Sequence, residues 1–397
     1  MENTIFLIFI GKDNNHGIYW KNTYVWNKRA KTQLRGGGEY IEPYTSLVED
    51  DDSIHYNIFK ARFILNDGRV IKIKYKNDNT DSAITSEETV DYKPYITDVV
   101  IGDKVTTLGS GVFSGCTKLE NIDLPSGVTS IGISAFTNCT QLQNINLSSG
   151  ITRIESETFK GCSNLKAITI PNGITYLGHG PFQYCSGLTS IEIPNSVTSM
   201  GYYTFMGCSG LTSVTLSDNI KTIPASAFTN CYSLSSINIP SGVTTISQRV
   251  FYNCSGLTSI EIPSGVTSIG QLAFYSCSSL ESINIPSGVT NIQRQVFQGC
   301  SSLVDINIPS GVTTINNTTF YGCTKLVDVN IPSGVTSIGV SAFTNCSSIY
   351  GHSIIISKNN SVYFIISDVI CDNVKRCFEP LIGSLSPIQI IDNNIQS

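Results

Sequence analysis

The sequence has little charge and no long apolar run. In 397 residues, lysine and arginine number 25 and aspartate and glutamate number 30, which gives a net charge of -5. This sparse, slightly acidic balance does not favour binding to a polyanion such as nucleic acid. No apolar run approaches the roughly 18 residues that a membrane-spanning helix needs, so no membrane insertion is expected.

The start of the sequence is not expected to act as a standard secretion signal. The only candidate is the apolar run TIFLIFI at residues 4–10, which is short, follows Glu2 and lacks a small-residue cleavage site. Signal peptides begin with a basic segment and end at small residues. The run is therefore predicted to be a β-strand, and export by another route remains open.

Groups that carry catalysis are scarce. None of the histidines is three or four residues from a second histidine or a cysteine, the spacing that favours zinc binding. The sequence contains no G-x-S-x-G motif, phosphate loop or dinucleotide fingerprint. We therefore expect no catalytic residue, no cofactor and no metal site. The four histidines are His16, His55, His179 and His352.

Cysteine, by contrast, is abundant. Eleven of the 13 cysteines are spaced 23 residues apart, from Cys116 to Cys346. One thiol at the same place in every repeat indicates a packing position. Neighbouring thiols of a stacked repeat point the same way, which disfavours disulfides, and buried thiols are poor metal ligands.

The spacing of the cysteines belongs to a longer pattern. Around Cys254, Phe251 lies three residues earlier, Leu257 three residues later, and Ile260 and Ile262 follow. The alternation L-x-x-I-x-I predicts a short strand with one apolar side, and the Pro-Ser-Gly that usually follows predicts its end and a turn. The phenylalanine and cysteine columns are expected to fill the opposite wall.

A 23-residue unit has too little core to fold alone, so the repeats are expected to stack. Strands of successive coils would pair in parallel at about 4.8 Å, and eleven coils would give a rod roughly 50 Å long. The sequence therefore predicts a repeat solenoid with a parallel β-sheet on one face.

The repeated string L-x-x-I-x-I-P-x-G-V-T-x-I-G-x-x-A-F-x-x-C resembles the BspA-type leucine-rich repeat of bacterial, protist and phage surface proteins. The resemblance covers about residues 94–350. It implies a leucine-rich-repeat solenoid, a role in adhesion or partner binding, and no catalytic residues. It also leads us to expect a protein that is located at a cell surface, secreted or associated with a virion.

Four regions are predicted along the chain. Residues 1–58 would form an attachment or capping segment, 59–93 a β-hairpin leader, 94–350 the solenoid and 351–397 a C-terminal cap. The solenoid is thus preceded by a small β-rich region. Alternating apolar residues on both sides of Asn66-Asp67-Gly68 predict the hairpin over 59–75.

Both ends leave alternatives open. The outer face of the first hairpin carries basic residues (Lys60, Arg62, Lys72 and Lys74), and we interpret it as solvated; a nucleic-acid patch is the alternative. The acidic run 49–52 is interpreted as a solvated linker, with a calcium site as the alternative.

In the C-terminal cap, residues 353–357 and 361–367 predict a second hairpin, and 369–378 could form a short helix. Cys371 and Cys377 lie outside the ladder. They are interpreted as free core thiols, and a disulfide between them is the alternative.

The candidate site is the outward column of the predicted strands. We expect this polar column to bind a protein or glycan; the alternative is a ladder that only confers solubility. Bulkier residues elsewhere form a rival set, Tyr202, Tyr203, Arg249, Tyr252, Tyr275, Arg294 and Tyr321, since tyrosine and arginine often anchor interfaces. The column favoured for binding comprises Glu192, Asn238, Glu261, Asn284, Asn307 and Asn330.

These observations favour a non-enzymatic binding or adhesion protein with a protein or glycan ligand. The alternative is a structural spacer or appendage component of a virion or cell surface. An enzyme would need its site in residues 1–93, where no catalytic constellation is found. Neither a nucleic-acid partner nor membrane insertion is expected, and the oligomeric state is left open.

Overall fold

The computed structural model describes residues 7–8, 23–24, 39–40, 59–75, 81–349, 355–358 and 361–364. They form a parallel β-solenoid of about eleven turns with almost no helix, which confirms the predicted fold class. Most of the predicted segment 1–58 lies outside the described residues. So do the acidic run 49–52, the predicted helix 369–378 and the cysteine pair Cys371 and Cys377.

The strands predicted from L-x-x-I-x-I form a first ladder along the solenoid. Each pairs in parallel with a strand 23 residues away, as in Asn121 opposite Asn144. The central residue is buried and its two neighbours are exposed, as the pattern predicted. No strand is present at 167–169, and Asn238 keeps a single bridge to Glu261. The strands are Ile96–Ile101, Asn121–Asp123, Asn144–Asn146, Ser190–Glu192, Ser213–Thr215, Ser259–Glu261, Ser282–Asn284, Asp305–Asn307 and Asp328–Asn330.

A second ladder follows the Pro-Ser-Gly turn and was not predicted as strand. Each of its strands has two residues, and in most coils only the aliphatic residue of the two is buried. Two residues cannot show the alternation by which a strand is recognised in sequence. The strands are Ala83–Ile84, Thr107–Leu108, Ser130–Ile131, Arg153–Ile154, Tyr176–Leu177, Ser199–Met200, Thr222–Ile223, Thr245–Ile246, Ser268–Ile269, Thr314–Ile315 and Ser337–Ile338.

The third side of each coil is a turn that carries the phenylalanine. From Phe113 to Phe343 the rings stack, with centroids 5.2 to 5.7 Å apart. The backbone is linked here too, because Phe113 donates its N–H to the carbonyl of Ala135 and Phe136 to that of Thr158, both at 2.8 Å. The predicted burial of this column is confirmed.

The cysteine column is buried as predicted, and it is also hydrogen bonded. The Phe113 carbonyl accepts the N–H of Cys116 at 3.0 Å and the S–H of Cys139, in the next coil, at 3.1 Å. The same S–H bond recurs from Cys162 to Cys346 at 3.0 to 3.2 Å. A small apolar side chain with a weak donor therefore suits this position.

The predicted first hairpin is confirmed and joins the solenoid. Strands Phe59–Leu65 and Val70–Lys74 are antiparallel, and Phe59–Leu65 also pairs antiparallel with Ile96–Ile101. Because Ile96–Ile101 opens the first ladder, the hairpin covers its N-terminal edge. A short helix, Ser86–Thr89, follows, and the Glu88 carboxylate accepts the N–H of Thr85 at 2.8 Å.

The prediction that Lys60 lies on a solvated face is wrong. The register of the hairpin shifts between Phe59 and Ala61, and this irregularity turns Lys60 inward. Its side chain is 0% exposed, and its Nζ lies 2.7 Å from Asp81 and 2.8 Å from Glu88. A buried ammonium requires such partners, and Asp81 and Glu88 supply them.

The last described coil ends in a 3-10 helix, Ser347–Ile349. Strands Ile355–Lys358 and Ser361–Phe364 pair antiparallel, which confirms the predicted second hairpin. Two further short strands, Leu7–Ile8 and Thr23–Tyr24, are antiparallel to each other, and Glu39–Tyr40 pairs with Val70–Lys74.

Candidate binding surfaces

All six residues of the predicted binding column are exposed on the first ladder. Parallel register places five of them side by side. Asn238 lies opposite Glu261, Glu261 opposite Asn284, Asn284 opposite Asn307 and Asn307 opposite Asn330. Glu192 is separated from this run, because its partner in the next coil is Thr215.

A shallow groove of about 690 Å³ runs along this column. Its floor contains predicted residues from four successive coils, and one wall consists of the Pro-Ser turns after each strand. At one end of the column, the Asn330 amide donates to Oδ1 of Asn307 at 2.9 Å. The lining comprises Glu261, Ile262, Ser264, Asn284, Ile285, Pro286, Ser287, Asn307, Ile308, Pro309, Ser310, Asn330 and Pro332.

The groove offers amide, hydroxyl and carboxylate groups for hydrogen bonding. Its wall was missed by sequence reasoning, which interpreted the prolines only as strand ends. The signal was available, since Pro286, Pro309 and Pro332 recur two residues after Asn284, Asn307 and Asn330. A proline that ends each strand at the same phase places its ring beside the outward column in successive coils.

The rival aromatic set does not form one surface. Tyr252 and Tyr275 stack on each other with centroids 4.6 Å apart, and the Tyr321 hydroxyl accepts the amide of Asn345 at 3.0 Å. Tyr202 and Tyr203 lie in a different coil, where they are 53% and 45% exposed. The rival residues therefore fall into separate groups along the rod.

The cysteine column offers no reactive thiolate. Burial raises the pKa of the Cys208 and Cys300 thiols to about 12 and that of Cys185 and Cys277 well above its ordinary value. A thiol must ionise to act as a nucleophile or soft-metal ligand. In the described part of the chain, no group of three or more His, Cys, Asp or Glu side chains is placed to hold a metal ion.

Within the described residues, no helix has both the length and the apolar character needed to cross a membrane. The stacked coils, with their leucine and isoleucine columns, define a leucine-rich-repeat solenoid. Stretches 85–209, 177–304 and 268–364 match the BspA type leucine rich repeat region, in six copies. These stretches together cover more than half of the chain, which therefore belongs to the BspA-type leucine-rich-repeat family.

Comparison with curated proteins gives no significant match. Among solved structures, a leucine rich cell surface protein from Faecalibacterium prausnitzii A2-165 is 30% identical, over 70% of this chain and 82% of that one, with a TM-score of 0.46. A leucine-rich repeat protein from Bacteroides ovatus ATCC 8483 is 24% identical, over 77% and 93%, with a TM-score of 0.42. The leucine-rich repeat protein of T. pallidum is 32% identical, over 41% and 78%, with a TM-score of 0.39.

Proposed function

We propose that the chain is a non-enzymatic binding or adhesion protein that holds a protein or glycan against the first ladder. The observation that carries this proposal is the groove, which is lined by equivalent side chains of four successive coils. At about 4.8 Å per coil, the run from Asn238 to Asn330 extends roughly 20 Å. A ligand would lie across several coils, the mode of binding that solenoids favour.

The chemistry of the groove limits its ligand. Its amides and hydroxyls can both donate and accept hydrogen bonds, whereas its one carboxylate, from Glu261, disfavours polyanions. An extended chain with hydrogen-bonding groups fits better than a compact apolar molecule. A location at a surface, which the family resemblance leads us to expect, is part of this proposal.

The second candidate function is a structural spacer, and the second ladder favours it. Exposed threonines immediately before its strands donate their hydroxyls to the coil before, as Thr244 does to the carbonyl of Lys221 at 3.4 Å and Thr336 to that of Thr313 at 3.2 Å. A surface whose hydroxyls are satisfied internally suits a passive rod.

Two variants with equal added charge separate these functions. The first replaces Asn238, Asn284, Asn307 and Asn330 with lysine. The second replaces Thr244, Thr267, Thr290 and Thr313 with lysine; each of these is exposed two residues before a buried isoleucine of the second ladder. Both should keep the fold. Binding of at least one member of an array of purified glycans and secreted proteins should disappear only in the asparagine variant.

Equal loss in both variants would show that added charge, and not the groove, governs binding. If every ligand of the unmodified chain still binds the asparagine variant, the groove is excluded as a site. If the unmodified chain binds no member of the array, the spacer is the better function.

A further inference from the structure

We propose a second binding site, for a neutral glycan, on the turn side of the solenoid. It consists of His179, Tyr184, Tyr202 and Tyr203, which we call the aromatic patch. All four lie in the turns that precede Cys185 and Cys208, in two successive coils. The proposal does not depend on the groove of the first ladder.

The rings of the patch are held in fixed positions. The His179 ring stacks on that of Tyr202, with centroids 5.1 Å apart and planes 21° from parallel. Its Nδ1 accepts the N–H of Tyr202 at 3.1 Å, so the neutral imidazole carries its proton on Nε2. The Tyr203 ring stands at 74° to that of Tyr202, which forms an aromatic corner.

The backbone under the patch is unusual for tyrosine. Tyr184, immediately before Cys185, has a φ of 61°, in the left-handed region that bulky residues rarely adopt. In the other repeats, the position immediately before the cysteine is always glycine, asparagine or serine, as in Asn138 and Gly161. Folding does not require a tyrosine at such a position, so its presence points to a function.

Tyr184 is also accommodated by its neighbour in the next coil. A Cβ at Gly207 would collide with the Tyr184 ring, so glycine lets this ring lie against the rod. The ring remains 46% exposed. Such support fixes its orientation before a ligand arrives, and this reduces the entropy lost on binding.

The chemistry of the patch selects the ligand class. Glu192 is the only charged side chain between residues 176 and 210, and it lies on the first ladder. In the coil before, the Glu157 N–H donates to the His179 carbonyl at 2.8 Å, and the Glu157 carboxylate is paired with Lys160 at 2.6 Å. The surroundings of the patch therefore carry no net charge, which matches a neutral partner and not an anionic or cationic one. The apolar face of a sugar ring can pack on tyrosine rings, while its hydroxyls bond to the phenol groups and to Nε2 of His179.

Its size favours a sugar over a protein. An aromatic side chain buries 150 to 250 Å² when it is fully covered, so four rings that are about half exposed offer on the order of 400 Å². A stable protein interface needs about 800 Å² from each partner. Two coils rise roughly 10 Å, which suits one or two sugar units of a longer glycan.

Affinity electrophoresis of the full chain tests the proposal. Native gels would contain one neutral polysaccharide each: mannan, starch, xylan or a mixed-linkage β-glucan. We expect at least one of them to retard the chain. Retardation should weaken about ten-fold or more in the double variant Tyr202→Ser/Tyr203→Ser, which loses two ring contacts.

The matched control is Tyr232→Ser, because Tyr232 is 48% exposed but lies outside the patch. This variant, and a variant that replaces Asn238, Asn284, Asn307 and Asn330 with alanine and so keeps the net charge, should be retarded like the unmodified chain. The proposal is overturned if no neutral polysaccharide retards the chain or if the folded double variant is retarded equally. Loss of retardation in the four-alanine variant alone would also overturn it, because the site would then be the groove.

Discussion

The middle of the solenoid and its N-terminal end satisfy the same backbone groups with different side chains. In the middle, the carbonyl of Arg249, five residues before Cys254, accepts the hydroxyl of Thr229 in the coil before at 2.7 Å. The first coil has no coil before it. There the carbonyl of Gly111 accepts the ammonium of Lys93 at 2.7 Å, and that of Val112 accepts the hydroxyl of Thr89.

Charge distinguishes the two regions as well. Among the described residues, Lys60 is the only charged side chain that is buried, and it lies in the N-terminal hairpin. The described coils bury leucine, isoleucine, valine, phenylalanine, cysteine and a few hydrogen-bonded hydroxyls. Stacked repeats cover one another's apolar groups, whereas an end must be closed by residues outside the repeat.

High pH should produce the largest loss of stability, and this loss should come from the buried thiols in the middle of the solenoid. In the unfolded chain the thiols ionise near pH 8.5, whereas burial raises the pKa of Cys208 in the fold to about 12. Stability is therefore fully present below about pH 8.5 and falls as pH rises from there to about 12. Each buried thiol contributes a loss of about 1.4 kcal/mol per pH unit in this window.

Urea unfolding under reducing conditions at pH 8, 8.5 and 9 measures this slope before the eleven buried thiols together remove the whole stability. Because the unfolded thiols are only partly ionised in this range, a triple variant, Cys254→Ala/Cys277→Ala/Cys300→Ala, should show a slope shallower by about 2 kcal/mol per pH unit. Its lower stability at pH 8 does not affect the comparison, because the slope is the readout. An unchanged slope would contradict the assignment of these thiols to a protonated core.

A charge placed inside the rod should have the next largest effect. Leu257 is 0% exposed in the middle of the solenoid. Leu257→Asp buries a carboxylate without a partner and should lower the free energy of unfolding by about 4 kcal/mol or more.

Ser259→Asp adds the same charge two residues later, on the exposed side of the strand. It should change the free energy of unfolding by less than about 0.5 kcal/mol. Chemical denaturation of the two variants compares them directly. Similar losses in the two variants would contradict the assignment of Leu257 to the buried side and Ser259 to the exposed side of the coil.

The middle could be predicted from the sequence because every position is repeated. Eleven copies reveal the phase of Phe251, Cys254 and Leu257, and all three are buried as expected. The second ladder was missed because its strands are too short to alternate. The S–H bonds were missed because spacing alone does not show which carbonyl a thiol faces.

The hairpin at the N-terminal end is not repeated in the sequence, so no recurring position shows which of its residues are buried. The prediction for Lys60 failed because strict alternation was assumed across a strand whose register shifts. The candidate groove lies between these cases. Its exposed column follows from the repeat, whereas its depth depends on how far the proline turns project beside Asn284 and Asn307.

The N-terminal end of the solenoid should lose stability when the positive charge of Lys60 is removed. Lys60→Met leaves Asp81 and Glu88 facing each other without their shared partner, although both remain about one-fifth exposed. Breaking a buried ion pair costs 3 to 5 kcal/mol. Because the carboxylates keep some water, we expect about 3 kcal/mol, at the lower limit of that range.

This loss should stay at the end of the rod, because each repeat contacts only its neighbours. Amide hydrogen exchange should therefore accelerate between residues 59 and 112 and remain unchanged around Cys277. Lys72→Met removes the same charge from the same hairpin, where the half-buried Lys72 ammonium lies 4.9 Å from the Phe59 ring centre, and should cost less than about 1 kcal/mol. Exchange that accelerates equally in the middle would mean that the hairpin controls the whole solenoid, and the contrast between closed end and self-supporting middle would be wrong.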